Sequence, residues 1–377
     1  MNQQLHQLSL SYPNKGQTQS DEVEGKLSLV RQALSEAGAQ GLRLRGTDWF
    51  AWATAGGSNT VLLTAETGVA EVLVTAQEAW ILTDEIEAQR LKDEELPGNF
   101  KLSVSPWAEA AQRETFVQEA VGGTVLSDRP TGSEGLLPTS LQQQKRVLTA
   151  PELERYRQVG RLASEAMTEV LSAAQAGWTE YQLAGAGAAA LWRRGLHPAL
   201  TLVAGERRLP VYRHATAGPE ALGKMAMLVF CARGYGLYAN LTRFVSFGPL
   251  SSQSADLHRQ VREVEAAALQ HCQPGTELSA IYEVLGQTYQ QQGYPQAIRE
   301  HHQGGTTGYL AREIVAHAKT SQTLVEGTAM AWNPSLSGAK IEDTFVLLDG
   351  KLENLTLDLQ WPSVEVEGRL RPVPLER

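Results

Sequence analysis

Cysteine is scarce in this sequence: Cys231 and Cys272 are the two in 377 residues. One possible pair cannot form a disulfide framework, so a reducing compartment, the cytoplasm, is expected. No run approaches the roughly 18 apolar residues of a membrane span, and no membrane partner is expected. The first 25 residues are polar and carry no apolar segment of the signal-peptide kind. Basic residues are not in excess either. Lys and Arg number 33 against 42 Asp and Glu, a formal net charge of −9, and no basic patch stands out. That excludes general nucleic-acid binding as a first reading. Ala55-Gly56-Gly57-Ser58 lacks the Gly-Lys-Ser/Thr ending of a phosphate loop and reads as a turn.

What is there suits a globular α/β protein: 42% hydrophobic and 20% charged residues. The length suggests two domains. Residues 1–20 read as a loose polar arm. A helix is expected over Asp21 to Glu36, with Val23, Leu27, Val30 and Leu34 at helical spacing. Short strands follow at Leu42–Leu44, Val61–Leu63, Val72–Val74 and Ala79–Leu82, giving a small α/β domain over residues 21–146. The second domain, 147–377, begins with a long amphipathic helix from Glu152 to Ala174. Pro151 stands where the first turn tolerates a missing N–H.

A pattern of helix, Gly turn, helix, then strands occurs twice in this domain. The copies are offset by 98 residues, from Gly177 to Gly275. A pseudo-two-fold domain born of internal duplication is the natural reading.

Four local motifs sharpen it. Leu228-Val229-Phe230-Cys231-Ala232-Arg233 is followed by Asn240-Leu241-Thr242-Arg243. His301-His302-Gln303-Gly304-Gly305-Thr306-Thr307-Gly308 comes next. Gly327 to Pro334 then carries Asn333 before its proline, and Ile341-Glu342-Asp343-Thr344 closes the set. In order and spacing these resemble the motifs of the aminopeptidase P, prolidase and creatinase family. The resemblance implies a small N-terminal creatinase-like domain, a pita-bread C-terminal domain and a homodimer.

That family holds two metal ions on two Asp, one His and two Glu. The matching positions here are Cys231, Asn240, Gly305, Asn333 and Glu342, so only Glu342 keeps the family ligand. No metal and no other cofactor is therefore expected. Hard or borderline divalent ions need several anionic oxygens or imidazoles held together, and no metal-bound hydroxide forms without them. Cys231 itself reads first as inert packing.

Other positions match active-site residues of the family. His214 lies 17 positions before Cys231, and His301 opens the His-x-x-Gly motif. Arg312 falls where creatinase, which works without metal, has an Arg that holds a substrate carboxylate. The candidate catalytic set is thus His214, His301 and Glu342, with Arg312 binding substrate. Thr242 stands where creatinase has a Glu for its guanidinium-like substrate, so creatine itself is not implied. Three readings stay open. One is a peptidase-like protein whose pocket binds a small molecule or short peptide. Another is a metal-independent hydrolase of a small carboxylate-bearing C–N substrate. The last is residual metal-dependent peptidase activity.

Overall fold

The computed structural model describes residue 10 and residues 17–377, so most of the expected arm lies outside the described residues. Its last part is not loose. Helix α1 (Gln17–Ala37) starts before Asp21. Ser20 Oγ donates to Asn99 Oδ1 at 3.0 Å and Gln19 is buried. No breaker lies between Gln17 and Ser20, so nothing stops the helix there.

The chain divides into two compact units after Arg146. The first is built on a six-stranded mixed sheet. Its strands are β1 (Gly41–Gly46), β2 (Thr67–Thr75), β3 (Ala79–Asp84), β4 (Lys101–Ser105), β5 (Val125–Ser127) and β6 (Gly135–Leu136), in the order β4-β3-β2-β1-β5-β6. Trp49 and Trp52, on the helix Thr47–Ala53, are buried and pack edge to face. They serve this core. The expected strand at Val61–Leu63 is absent: these residues are loop, 59%, 66% and 41% exposed. Three apolar residues without a pairing strand do not make a sheet element.

The second unit contains the expected duplication. Its first copy runs α2 (Ala150–Ala173), α3 (Glu180–Trp192), β7 (His197–Gly205), β8 (Met225–Gly234) and β9 (Leu237–Ser246). The second runs α4 (Ser252–His271), α5 (Leu278–Gln291), β10 (Gly304–Thr307), β11 (Ile314–Val315), β12 (Ala329–Trp332), the hairpin β13 (Ser335–Leu336) and β14 (Ala339–Lys340), then β15 (Asp343–Leu348) and β16 (Lys351–Asn354). Helix α2 opens on a capping box between Thr149 and Glu152, with Pro151 in the first turn. The second helix of each copy stops at a left-handed glycine, Gly195 (φ +74°) and Gly293 (φ +87°).

Strands β7, β8 and β9 form an antiparallel sheet, joined at its edge by the C-terminal strand Leu375–Glu376. The second sheet, β11-β10-β12-β15-β16, is antiparallel throughout. The two sheets meet where Thr242 N donates to Glu342 O at 3.0 Å. A buried charge network pins this junction. Arg243 donates to Asp343 at 2.7 Å, and Arg371 bridges Asp343 and Glu265 at 2.9 and 2.6 Å. Buried charges survive only when paired in this way.

Candidate functional site

A pocket of about 390 Å³ opens at the sheet junction of the second unit. The antiparallel register of β7 and β8 sets Leu202 opposite Val229 and Leu200 opposite Cys231. Side chains alternate along a strand, so these four face the same way, and all four line the pocket. They form its apolar part. The polar part includes His214, His302, Asn333, Arg312, Lys340 and Glu342.

Glu342 is buried, and both of its carboxylate oxygens are engaged. Arg312 Nη2 donates to Oε1. Thr242 Oγ1 donates to Oε2 at 3.1 Å, and the Lys340 ammonium lies 3.5 Å from the same oxygen. Burial by itself raises a carboxyl pKa. Here the Lys340 and Arg312 charges, with the Arg312 and Thr242 hydrogen bonds, outweigh it and hold Glu342 at about 2. Arg312 is equally committed, since its Nη1 donates to Ala311 O at 2.7 Å. Lys340 is the less satisfied cation. Its ammonium makes no hydrogen bond among the described residues beyond that ion pair. Two cations against one carboxylate leave this part of the pocket with one positive charge in excess.

His214 and His301 come together, with their Nε2 atoms 2.7 Å apart. His301 is buried behind the pocket, and burial together with the Lys340 charge pushes its imidazole down to about 2. His302 stacks on His301 with ring centroids 4.5 Å apart and is pushed down to about 4, chiefly by burial and then by Arg312. Burial and the Lys340 charge also push His214 below its ordinary value, so all three imidazoles are mainly neutral at neutral pH. Three arginines that precede His214 in sequence are each paired: Arg207 with Glu220, Arg208 with Glu180 and Arg213 with Glu300.

Residues 231, 240, 305 and 333 offer a weak donor set. Burial pushes the Cys231 thiol up to about 12, so it stays protonated. Asn240 Nδ2 donates to Thr307 Oγ1 at 3.0 Å, while its Oδ1 is buried without a partner. Asn333 Oδ1 is likewise buried and unpartnered. Gly305 has φ +150°, and Ile314 O lies 2.0 Å from where a Cβ would stand.

Lys340 and His302 escaped the motif reading. The available signals were a second His beside His301 and a Lys two positions before the surviving Glu.

The sequence model of metallopeptidase family M24 matches residues 154–349. An uncharacterized peptidase of Staphylococcus aureus (strain MW2) is 22% identical over 244 residues, 62% of this chain and 68% of that protein. The fold superposes on an Xaa-Pro dipeptidase from Bacillus anthracis with a TM-score of 0.76, at 17% identity, covering 94% of this chain and all of that one (100%). An X-Pro aminopeptidase from Thermotoga maritima MSB8 gives 0.74 at 19% identity, over 88% and 97% of the two chains. The N-terminal domain of the FACT complex subunit SPT16 from chickpea (Cicer arietinum) gives 0.67 at 14% identity, over 90% and 96%.

Proposed function

The chain belongs to metallopeptidase family M24, and from that premise we propose that it is an Xaa-Pro-peptidase-like protein without the two-metal centre, whose pocket takes a small carboxylate-bearing molecule or short peptide. The observation that carries this reading is the state of Glu342. Its two oxygens serve Arg312, Thr242 and Lys340, so the one retained family ligand is already neutralised by protein cations. The other four positions do not fit a pair of divalent ions. They supply a protonated thiol, two neutral amides and no side chain at all. Such ions select several anionic oxygens or imidazoles. The fold alone does not demand peptidase chemistry, since it also occurs in a FACT complex subunit.

Lys340 gives the pocket an anion-binding point. Asn333 Oδ1 gives it an acceptor waiting for a donor. A ligand with a carboxylate and an N–H group satisfies both. In calorimetry with metal-free protein, N-acetylalanine or glycyl-proline is expected to bind saturably. Lys340→Met is expected to weaken that binding about 10- to 100-fold, the worth of a charged hydrogen bond. Binding that requires added manganese, or is indifferent to Lys340→Met, contradicts the reading.

Metal-independent hydrolysis is a second reading, favoured by one feature: the His214–His301 pair at 2.7 Å beside the same pocket. His301 is too weak a base at neutral pH to act by itself, so His214 carries the proton in that case.

A further inference from the structure

We propose that His214, His301 and His302 form a mononuclear site for one divalent ion of the zinc class, built from residues other than the family's metal ligands. One ring nitrogen from each histidine lies within 4.8 Å of the other two. Zinc–imidazole bonds of about 2.0–2.1 Å in a tetrahedron set such nitrogens about 3.3 Å apart. The Nε2 atoms of His214 and His301 stand 2.7 Å apart. An ion there needs that contact opened and the stacked His302 ring turned so that its nitrogen comes to the same point.

The ligands are already organised. Gln303 Nε2 donates to His301 O at 2.6 Å, and Tyr289 Oη donates to Gln303 Oε1 at 3.0 Å, which fixes the segment carrying two of the three imidazoles. On the other side, Arg213 is tied to Glu300 and Ser337, and Ala215 O accepts from Val203 N at 3.2 Å. His214 thus sits between two anchored neighbours.

The trio is poorly explained as packing. His302 Nδ1 is buried without a partner. His302 makes no side-chain hydrogen bond among the described residues. A buried ring nitrogen left without a partner is costly unless something uses it.

Three neutral imidazoles without a carboxylate select the ion. Imidazole suits zinc, cobalt, nickel and copper, while manganese and magnesium favour oxygen donors. A three-histidine set also leaves a fourth position for water or for an anion from the pocket that His214 and His302 line. The site stands whether or not that pocket takes a carboxylate.

The test is a cobalt(II) titration of the chelator-stripped full chain, followed by visible absorption. The expected result is one equivalent bound, with the intense bands of four-coordinate cobalt and no thiolate charge-transfer band. His302→Ala is expected to weaken binding about 100-fold or more, at least the loss that follows removal of a metal ligand's outer partner. His214→Asn reads the same point if the first variant does not fold. Cys231→Ser leaves the affinity unchanged. Equal binding by folded His302→Ala, or no cobalt bound by folded wild type, overturns the site. Two equivalents, or loss of binding in Cys231→Ser, overturns it in favour of the family centre. That last outcome also removes the two-metal-free reading, whereas absence of binding leaves that reading intact.

Discussion

Gly305→His is expected to destabilise the second unit by about 4 kcal/mol or to prevent its folding, without creating a manganese site. The family places a metal-binding histidine here, so this is the obvious repair. Gly305 pairs with Val315 on one side and Ala331 on the other. Its φ of +150° disfavours any L side chain, and a Cβ would stand 2.0 Å from Ile314 O and 3.0 Å from Ala316 N. Both obstacles are backbone, so a rotamer change cannot relieve them. Urea denaturation reads the loss. A variant as stable as wild type means that β10 and β11 move apart readily.

Glu342→Gln is expected to cost about 3 kcal/mol at neutral pH while tightening the pocket's grip on small anions. The change leaves Arg312 and Lys340 facing each other without the shared carboxylate. Breaking a buried pair on one side exposes the other to the full desolvation penalty. The pH dependence has a definite sign. Glu342 is held at about 2, below its ordinary value of 4.5. Its contribution is therefore complete above pH 4.5 and is lost as pH falls through about 2. The gap between wild type and variant is expected to be constant from pH 7 to 5 and to narrow below 4.5. A variant with unchanged stability and unchanged affinity for N-acetylalanine contradicts the assigned role of Glu342.

Much of the fold was legible because its signals are local. Pro151 at the start of α2, the repeated turns at Gly177 and Gly275 and the apolar spacing in α1 and α2 each mark an element within a few residues. The strand expected at Val61–Leu63 failed because apolar character alone does not supply a pairing partner. In the site, the motifs named His214, His301, Arg312 and Glu342 singly, but not that His214 meets His301 or that Arg312 meets Glu342. Lys340 was not legible, since its importance comes from the hairpin β13–β14 that sets it against the Glu342 carboxylate. Nor was the obstruction at Gly305, which depends on Ile314 O in a neighbouring strand. Partners distant in sequence decide both.

Manganese titration of the chelator-stripped protein by calorimetry tests the central claim most directly. With Glu342 neutralised by Arg312 and Lys340, no micromolar binding of manganese is expected. Two equivalents bound at that affinity, lost in Glu342→Gln, would contradict the account and make Xaa-Pro peptide hydrolysis the activity to measure.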